Sequence, residues 1–406
     1  MKIVQLFHEF PYPPDSGVRC DMWRRLQAFR QLGHQIFGIA WVSEGAGEQP
    51  DSADVRTVEA ETEAFEIISI GADAGSRLRR IWNLRRYPSY VASRILQREP
   101  LESLIASVGD FRPDLIWLEG IHPCWLALEL KRHLNVPLAY RAHNIEHRYL
   151  AEQARLSPRM RQKLALKAGT WGLERMERLV HGAADRVFDI SADDLLYWRQ
   201  QGFENNEALP PQPDPAMMAT MEAPAHQRDI DLLFIGGLGA PNNAAGLDWY
   251  FRQVHPKVAG AVPNLKVVIA GRNPGDRLST QAVEGGAELI ANPADVIPLY
   301  VRARVLLNPI LHGSGVNIKT VDMLATGQPV VTTSKGARGL PGPVRAELTI
   351  ADGENAFADA LIDAVKKARD GQVAPNRSTV LSDVLGPPAV SRALRHFGER
   401  GLVYDT

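Results

Sequence analysis

The sequence predicts an α/β chain made of two doubly wound, Rossmann-like halves with parallel sheets. Three observations carry this. Apolar runs of strand length alternate with helical patterns, glycine clusters follow several of those runs directly, and a proline-rich stretch divides the chain near its middle. At 406 residues the chain is long for a single core, and two halves of about 200 residues account for it.

The first half, residues 1–205, opens with the apolar run Ile3–Phe7, a helical pattern over Asp21–Gln31 and, after Gly33-His34, a second run at Ile36–Val42. This is a β-α-β rhythm. Further strands are expected at Ile67–Ile70, Leu115–Leu118, Pro137–Tyr140 and Arg186–Ile190, giving a sheet with helices on both faces. Pro210, Pro211, Pro213, Pro215 and Pro224 then mark residues 206–228 as an extended linker. The second half, 229–385, restarts with Asp231–Ile235 and Gly236-Gly237, continues with a helix near Ala245–Val258, and follows with strand Leu265–Ala270 ending at Gly271. The closing segment, 386–406, has a helical pattern from Pro387 and is long enough to cross back onto the first half.

Composition narrows the function classes. The 46 basic and 47 acidic residues leave a net charge of −1, which argues against nucleic acid as a partner. Cys20 and Cys124 form no CxxC pair and no disulfide framework, so a reducing, cytoplasmic setting is expected. The apolar start Met1–Phe7 is broken by His8 and Glu9, too short for a signal segment or a membrane span.

The stretch from His312 to Leu340 is the most informative. Gly313-Ser314-Gly315, with Val316 and Asn317 completing the loop, precedes a helix whose free N–H groups and dipole aim at an anion, as for a diphosphate. At about 100° per residue, Ile318, Val321, Leu324 and Ala325 share one arc, and Gly315, Lys319, Asp322 and Thr326 the opposite one. The apolar arc is expected to pack and the polar arc to face a ligand. An ordinary αβ unit with a Lys319–Asp322 surface pair is the plain alternative. Gly327 supplies a helix stop before strand Pro329–Thr333. Because ligands in open α/β sheets bind beyond the carboxyl ends of strands, Gly236-Gly237, Gly271-Arg272 and Gly313–Gly315 should converge on one nucleotide crevice.

This block resembles the donor-site signature of family 4 glycosyltransferases: Gly-x-Gly, a basic residue, Glu-Ala-Met/Leu-Ala, x-Gly-x-Pro-Val-Val, then Gly-Ala-x-Gly-Leu. The resemblance implies the two-domain GT-B architecture and a retaining hexosyltransferase. It implies a nucleotide-diphosphate sugar as co-substrate on the second domain, with no cofactor and no metal. It further implies a saccharide, lipid-linked or small-molecule acceptor on the first domain, in the synthesis of surface polysaccharide or glycoconjugate. Two departures stand out. The family's carboxylate pair, eight apart, falls on Ser314 and Asp322, leaving Asp322 for the ribose. Its Arg and Lys fall on Gly237 and Asn242–Asn243, leaving Arg272, Lys319 or Arg338 to meet the leaving group's charge. A GT-B protein that binds a sugar nucleotide or partner without catalysis is therefore the alternative.

In the first half, the segment from His8 to Arg19 lacks G-x-G-x-x-G, which disfavours a nicotinamide or flavin cofactor. It resembles the family's first-domain loop Pro-x-x-x-Gly-Gly-x-x-Arg, with Gly17 as the glycine that lets backbone approach the donor phosphates or the acceptor. His143 directly follows a strand, where the family carries a histidine beside the transferred sugar. The pattern His143-x-x-Glu146-His147 also reads as an inverted zinc-peptidase motif. From Arg77 to Arg98 run seven arginines and no acid, interleaved with Ile81, Trp82, Leu84 and Tyr87. A second basic cluster comprises Arg155, Arg159, Arg161, Lys163 and Lys167. Both fit an anionic membrane surface and a peripheral location at its inner face, or else a solvated helix face.

Overall fold

The computed structural model describes residues 1–45, 49–157, 159–220, 228–313, 315–372 and 378–398. The chain forms two compact units, residues 1–210 with 387–406, and residues 211–386.

The first unit is built on a seven-stranded parallel sheet: β1 (Lys2–Phe7), β2 (Gln35–Ser43), β3 (Ala64–Ile70), β4 (Leu115–Glu119), β5 (Leu138–Ala142), β6 (Arg186–Asp189) and β7 (Asn206–Ala208). Their order is β3-β2-β1-β4-β5-β6-β7. Successive side chains of β1 alternate between two cores: Val4 and Leu6 enter one, Ile3 and Phe7 the other. The central strands are mainly apolar because both faces are covered, with Gln5, Glu119 and Arg141 as buried polar exceptions. Helix Gly17–Gln31 supplies Met22, Trp23, Leu26 and Phe29 to the second core. Helix Pro387–Gly398 adds Val390, Ala393, Leu394 and Phe397 to the same core, and His396 Nε2 lies 2.8 Å from Glu207 Oε1.

The second unit carries a six-stranded parallel sheet: β8 (Ile230–Ile235), β9 (Val267–Gly271), β10 (Glu288–Ala291), β11 (Ala303–Asn308), β12 (Val330–Thr332) and β13 (Thr349–Ile350). Their order is β10-β9-β8-β11-β12-β13. In each sheet the order reverses once, between β1 and β4 and between β8 and β11. Those reversals open the crevices in which α/β sheets hold ligands.

Three details differ from the sequence reading. The expected linker 206–228 begins with strand β7, where buried Asn206 donates to Asp189 Oδ2 at 2.7 Å. Farther on, Asp214 caps a short helix, Pro215–Ala219. The helix expected over 245–258 is interrupted: Pro241–Trp249 leads into a wider π-type turn at Tyr250–Val254, and His255–Ala261 follows. Pro256 has no N–H and would clash with the carbonyl four residues back, so the ladder widens there. Finally, Thr326 is fully buried instead of facing a ligand. Its Oγ1 donates to Met323 O and accepts from Gln328 N, closing the helix Ile318–Ala325.

Candidate functional site

In the second unit the glycine-rich strand ends meet at the carboxyl edge of the sheet. Gly236 follows β8 and donates its N–H to Ala270 O of β9. A Cβ on Gly271, which has φ +152°, would fall 1.7 Å from Gly236 O, so only glycine lets the two loops touch. Leu238 N donates to Arg272 O at 2.8 Å and ties the loops further. The position of a Cβ on Gly313, after β11, is 3.2 Å from Asn242 Nδ2.

Asn243 links this crevice to the following helix. Its Nδ2 donates to Gly237 O at 2.8 Å, and its Oδ1 accepts from Lys319 Nζ at 2.9 Å. The Lys319 ammonium also lies on the face of Phe234, and burial pulls its pKa down to about 7. Behind it, buried Thr320 accepts from Asn308 Nδ2 and donates to Gly336 O, so strand, helix and the loop of Arg338 move as one.

The other expected donor residues are distributed as follows. Gly315, Val316 and Asn317 are half-buried at the start of helix Ile318–Ala325, which has no side-chain cap. Arg272 is exposed and Arg338 half-buried. Asp322 Oδ1 accepts from Asp214 N at 2.9 Å, so it holds the segment leading into Pro215–Ala219. Ser314 lies outside the described residues.

The first unit gathers a second polar site at the carboxyl ends of β1, β4 and β5. His143, one residue past β5, is buried with Nε2 3.0 Å from Glu119 Oε2 and 3.5 Å from Asp21 Oδ2. Glu119 Oε1 accepts from Gln5 Nε2 at 3.0 Å and Trp117 Nε1 at 2.8 Å. Arg141 grips Asp21 with Nε at 2.7 Å and a second guanidinium nitrogen at 2.9 Å, which holds that carboxyl well below the ordinary range. His8, after β1, and His122, after β4, complete a cluster with ring centres 5.0 Å apart. Gly17 opens its helix on the exposed side, where Ser16 Oγ accepts from Arg19 N. The zinc-peptidase triad does not assemble. His147 Nδ1 pairs with Glu177 at 2.5 Å, and Glu177 also caps the helix Glu146–Leu156 through the N–H groups of Glu146 and His147. Among the described residues Asp21, Glu119 and His143 do approach within 4.8 Å of one another. Two of these are already committed, Asp21 to a bidentate arginine and Glu119 to three donors, so the set is poor for a cation.

Sequence reasoning located His143 but missed Asp21, Glu119, Arg141, His8 and His122. Their signal was positional only, since His8 and Glu119 sit at strand ends beside the reversal.

Two parallel-sheet units, the second with a glycine-lined crevice beside a half-buried lysine, match the GT-B fold of the similar solved structures. Residues 229–367 match the family described as Glycosyl transferases group 1, so the second unit is a glycosyltransferase domain of that group. The chain is 24% identical over 384 residues to an uncharacterized 44.6 kDa protein in the cps region of Klebsiella pneumoniae, covering 89% of this chain and 90% of that one. Among solved structures it is similar to Anabaena HepE in complex with UDP, at 12% identity and TM-score 0.62, covering 98% of this chain and 100% of that one. It is similar to sucrose-phosphate synthase from Thermosynechococcus elongatus, at 15% identity and TM-score 0.62 over 100% of both chains. It is also similar to a variant of S. aureus TarM in complex with Fondaparinux, alpha-GlcNAc-glycerol and UDP, at 10% identity and TM-score 0.62, covering 98% of this chain and 99% of that one. The protein is a glycosyltransferase of the GT-B fold.

Proposed function

We propose that the enzyme moves a hexosyl group from a nucleotide-diphosphate sugar to an acceptor hydroxyl with retention, in the assembly of a surface polysaccharide. The observation that carries this reading is the junction of Gly236 and Gly271 beside Asn243 and Lys319, with Gly313 at Asn242, within the group 1 domain. The crevice offers backbone N–H groups, a helix N-terminus and one buried amine, which is what a diphosphate needs. HepE and TarM with UDP, and the cps relative, support the donor class and the setting.

In this reading the acceptor oxygen bonds the anomeric carbon as the bond to the diphosphate breaks, and the hydroxyl proton leaves with the diphosphate. Lys319 meets the developing negative charge, with Arg272 and Arg338 beside the crevice. Asp322 binds the ribose, and Gly17 lets backbone approach the phosphates or the acceptor. His143, held by Glu119, bonds the transferred sugar. No residue in this scheme requires a metal.

The first unit also has a surface suited to anionic lipid. Helix Ala74–Asn83 buries no side chain, and Leu78, Ile81 and Trp82 are 68%, 62% and 68% exposed among its arginines. Met160, Leu164 and Trp171 are similarly exposed beside the second basic cluster. Exposed apolar groups flanked by arginine match an interfacial helix.

A thermal-shift panel of nucleoside diphosphate sugars tests the donor class. A ligand at about 100 times its Kd stabilises by about 2.7 kcal/mol. Stabilisation by one base and sugar, followed by its turnover, is expected; no response across uridine, adenosine, guanosine and thymidine sugars rejects the reading.

A further inference from the structure

Helix Ala74–Asn83 turns its faces the opposite way from a helix lying on a protein core. At about 100° per residue, Leu78, Ile81 and Trp82 share one arc, and Ser76, Arg79, Arg80 and Asn83 the opposite one, with Arg77 at the border. The apolar arc is the exposed one. The polar arc lines a cavity of about 450 Å³ between the helix, the carboxyl ends of β2 and β3, and residues 92–100. Clustered apolar side chains directed at water on a surface helix mark a contact with something apolar outside the chain.

The cavity has an apolar floor and a charged wall. Ile68, Ile70 and Leu96 line it and also pack against the first core, which fixes that side. Asn83 Nδ2 donates to Ala92 O at 3.3 Å and ties the end of the helix to the far side. Asp73 caps the helix start by accepting from Ser76 N at 3.0 Å, and Arg79 donates to Ser76 Oγ at 2.7 Å. Arg77 and Arg80 differ. Both line the cavity, and among the described residues neither guanidinium has a carboxylate or a hydrogen-bond partner. Glu44 is the single carboxylate on the lining, and it accepts from Ala72 N at 3.2 Å. Three arginines against one glutamate leave the wall positive.

Two unpaired guanidinium forks beside an apolar floor suit a phosphodiester that carries an apolar body. A free phosphate would pair the arginines but leave Leu78, Ile81 and Trp82 in water. A bilayer covers that arc and sets the helix within the headgroup layer, with lipid phosphates flanking its polar side. We infer that Arg77 and Arg80 hold the phosphate of an anionic phospholipid in this cavity while Leu78, Ile81 and Trp82 enter the same bilayer. The inference rests on the reading of this helix as a membrane surface, and adds to it a discrete site that takes one lipid. His143 and Lys319 do not line the cavity, so the lipid is an anchor and takes no part in the transfer.

The test is calorimetric titration of the full-length protein with dihexanoyl phosphatidylglycerol below its micelle concentration, beside glycerol phosphate at matched ionic strength. Saturable binding of one lipid per chain is expected, about tenfold or more tighter than glycerol phosphate. Arg77→Gln combined with Arg80→Gln should weaken the lipid by about tenfold or more. Arg85→Gln combined with Arg86→Gln removes the same charge just outside the cavity and should stay within about twofold of the parent. All four arginines are exposed, so both double variants should melt like the parent. Absent or non-saturating binding, equal losses in the two double variants, or glycerol phosphate as tight as the lipid overturns the site. Sedimentation with phosphatidylglycerol vesicles separates the site from the membrane reading. Vesicle binding without short-chain lipid binding rejects the site alone, and failure of both rejects the membrane reading with it. Short-chain binding without vesicle binding rejects the bilayer as the source of the lipid and overturns the proposal.

Discussion

Lys319 lays its ammonium on the ring of Phe234, with Nζ 4.1 Å from the ring centre. Its hydrogen-bond partner is an amide oxygen, Asn243 Oδ1, and not a carboxylate, so the charge is solvated mainly by a π face and one dipole. Burial accordingly lowers the amine's pKa to about 7. A diphosphate would favour the charged form and raise that value.

Donor binding is therefore expected to take up a proton. Between the lowered value near 7 and the raised value of the complex, affinity should fall as pH rises, by up to about tenfold per unit. Calorimetry at pH 8 in two buffers of different ionisation heat counts the proton. Lys319→Arg stays charged and should bind without pH dependence, and Lys319→Ala should lower turnover more than it raises KM. A proton count unchanged in Lys319→Ala would assign the uptake elsewhere.

Asp322 serves the fold as well as the proposed ribose contact, because its Oδ1 accepts from the backbone of Asp214. Asp322→Ala should lose about 1 kcal/mol of stability along with tenfold to hundredfold, roughly, of nucleotide affinity. Asp322→Asn keeps an oxygen for Asp214 but not the charge. It should melt like the parent and still bind the nucleotide more weakly; parental affinity in this variant leaves Asp322 a structural role alone.

Much of the fold was legible because it is written in local pattern. β1, β2 and β4 appear within one or two residues of the apolar runs, since strands covered on both faces are made mostly of apolar residues. β7 was not legible: Asn206-Glu207-Ala208 carries no apolar signal, and the strand exists because Asn206 reaches Asp189, 17 residues away. The site divides the same way. Gly271 and Lys319 lie in recognisable local contexts, whereas Glu119 and Asp21 reach His143 and Arg141 across 24 and 120 residues, a pairing that only tertiary structure creates.

That same strand pair makes a stability prediction. Asp189 is buried, one oxygen takes the Asn206 bond and the other has no partner, and burial pushes its pKa up to about 7. The folded state thus binds a proton that the unfolded chain, titrating near about 3.9, has released, so this residue's contribution to stability falls as pH rises from 4 to 7. Asp189→Asn should stabilise the protein at pH 8 by as much as about 4 kcal/mol and leave it unchanged at pH 4. Denaturant midpoints at the two pH values check this, and an equal difference at both would refute the titration.

The exposed face of helix Ala74–Asn83 predicts sedimentation with anionic, but not neutral, vesicles. Each arginine near such a surface contributes about 1 kcal/mol, and added salt weakens the effect. Trp82→Glu removes an apolar contact that is 68% exposed, so folding should survive and binding should drop. Identical sedimentation with both lipids rejects the membrane surface.

His143 stands in the first unit, whereas Gly236, Gly271 and Lys319 lie in the second, and this separation yields the sharpest test of roles. Glu119 fixes the imidazole by accepting from Nε2, and Gln5 and Trp117 in turn fix Glu119. The opposite nitrogen, Nδ1, borders the space beside Gly120 and is the atom free to meet sugar. His143→Ala should cut transfer by about a hundredfold or more and leave nucleoside diphosphate affinity nearly unchanged, as expected for a group acting only on the reacting sugar. Glu119→Gln should also lower transfer, because its single oxygen can accept from His143 Nε2 or from Gln5 and Trp117 but not from both sides, and the amide NH2 then faces a donor. Calorimetry with the nucleoside diphosphate, run beside a transfer assay, reads both quantities. Nucleotide affinity that collapses together with transfer would make His143 a structural residue and remove it from the chemistry.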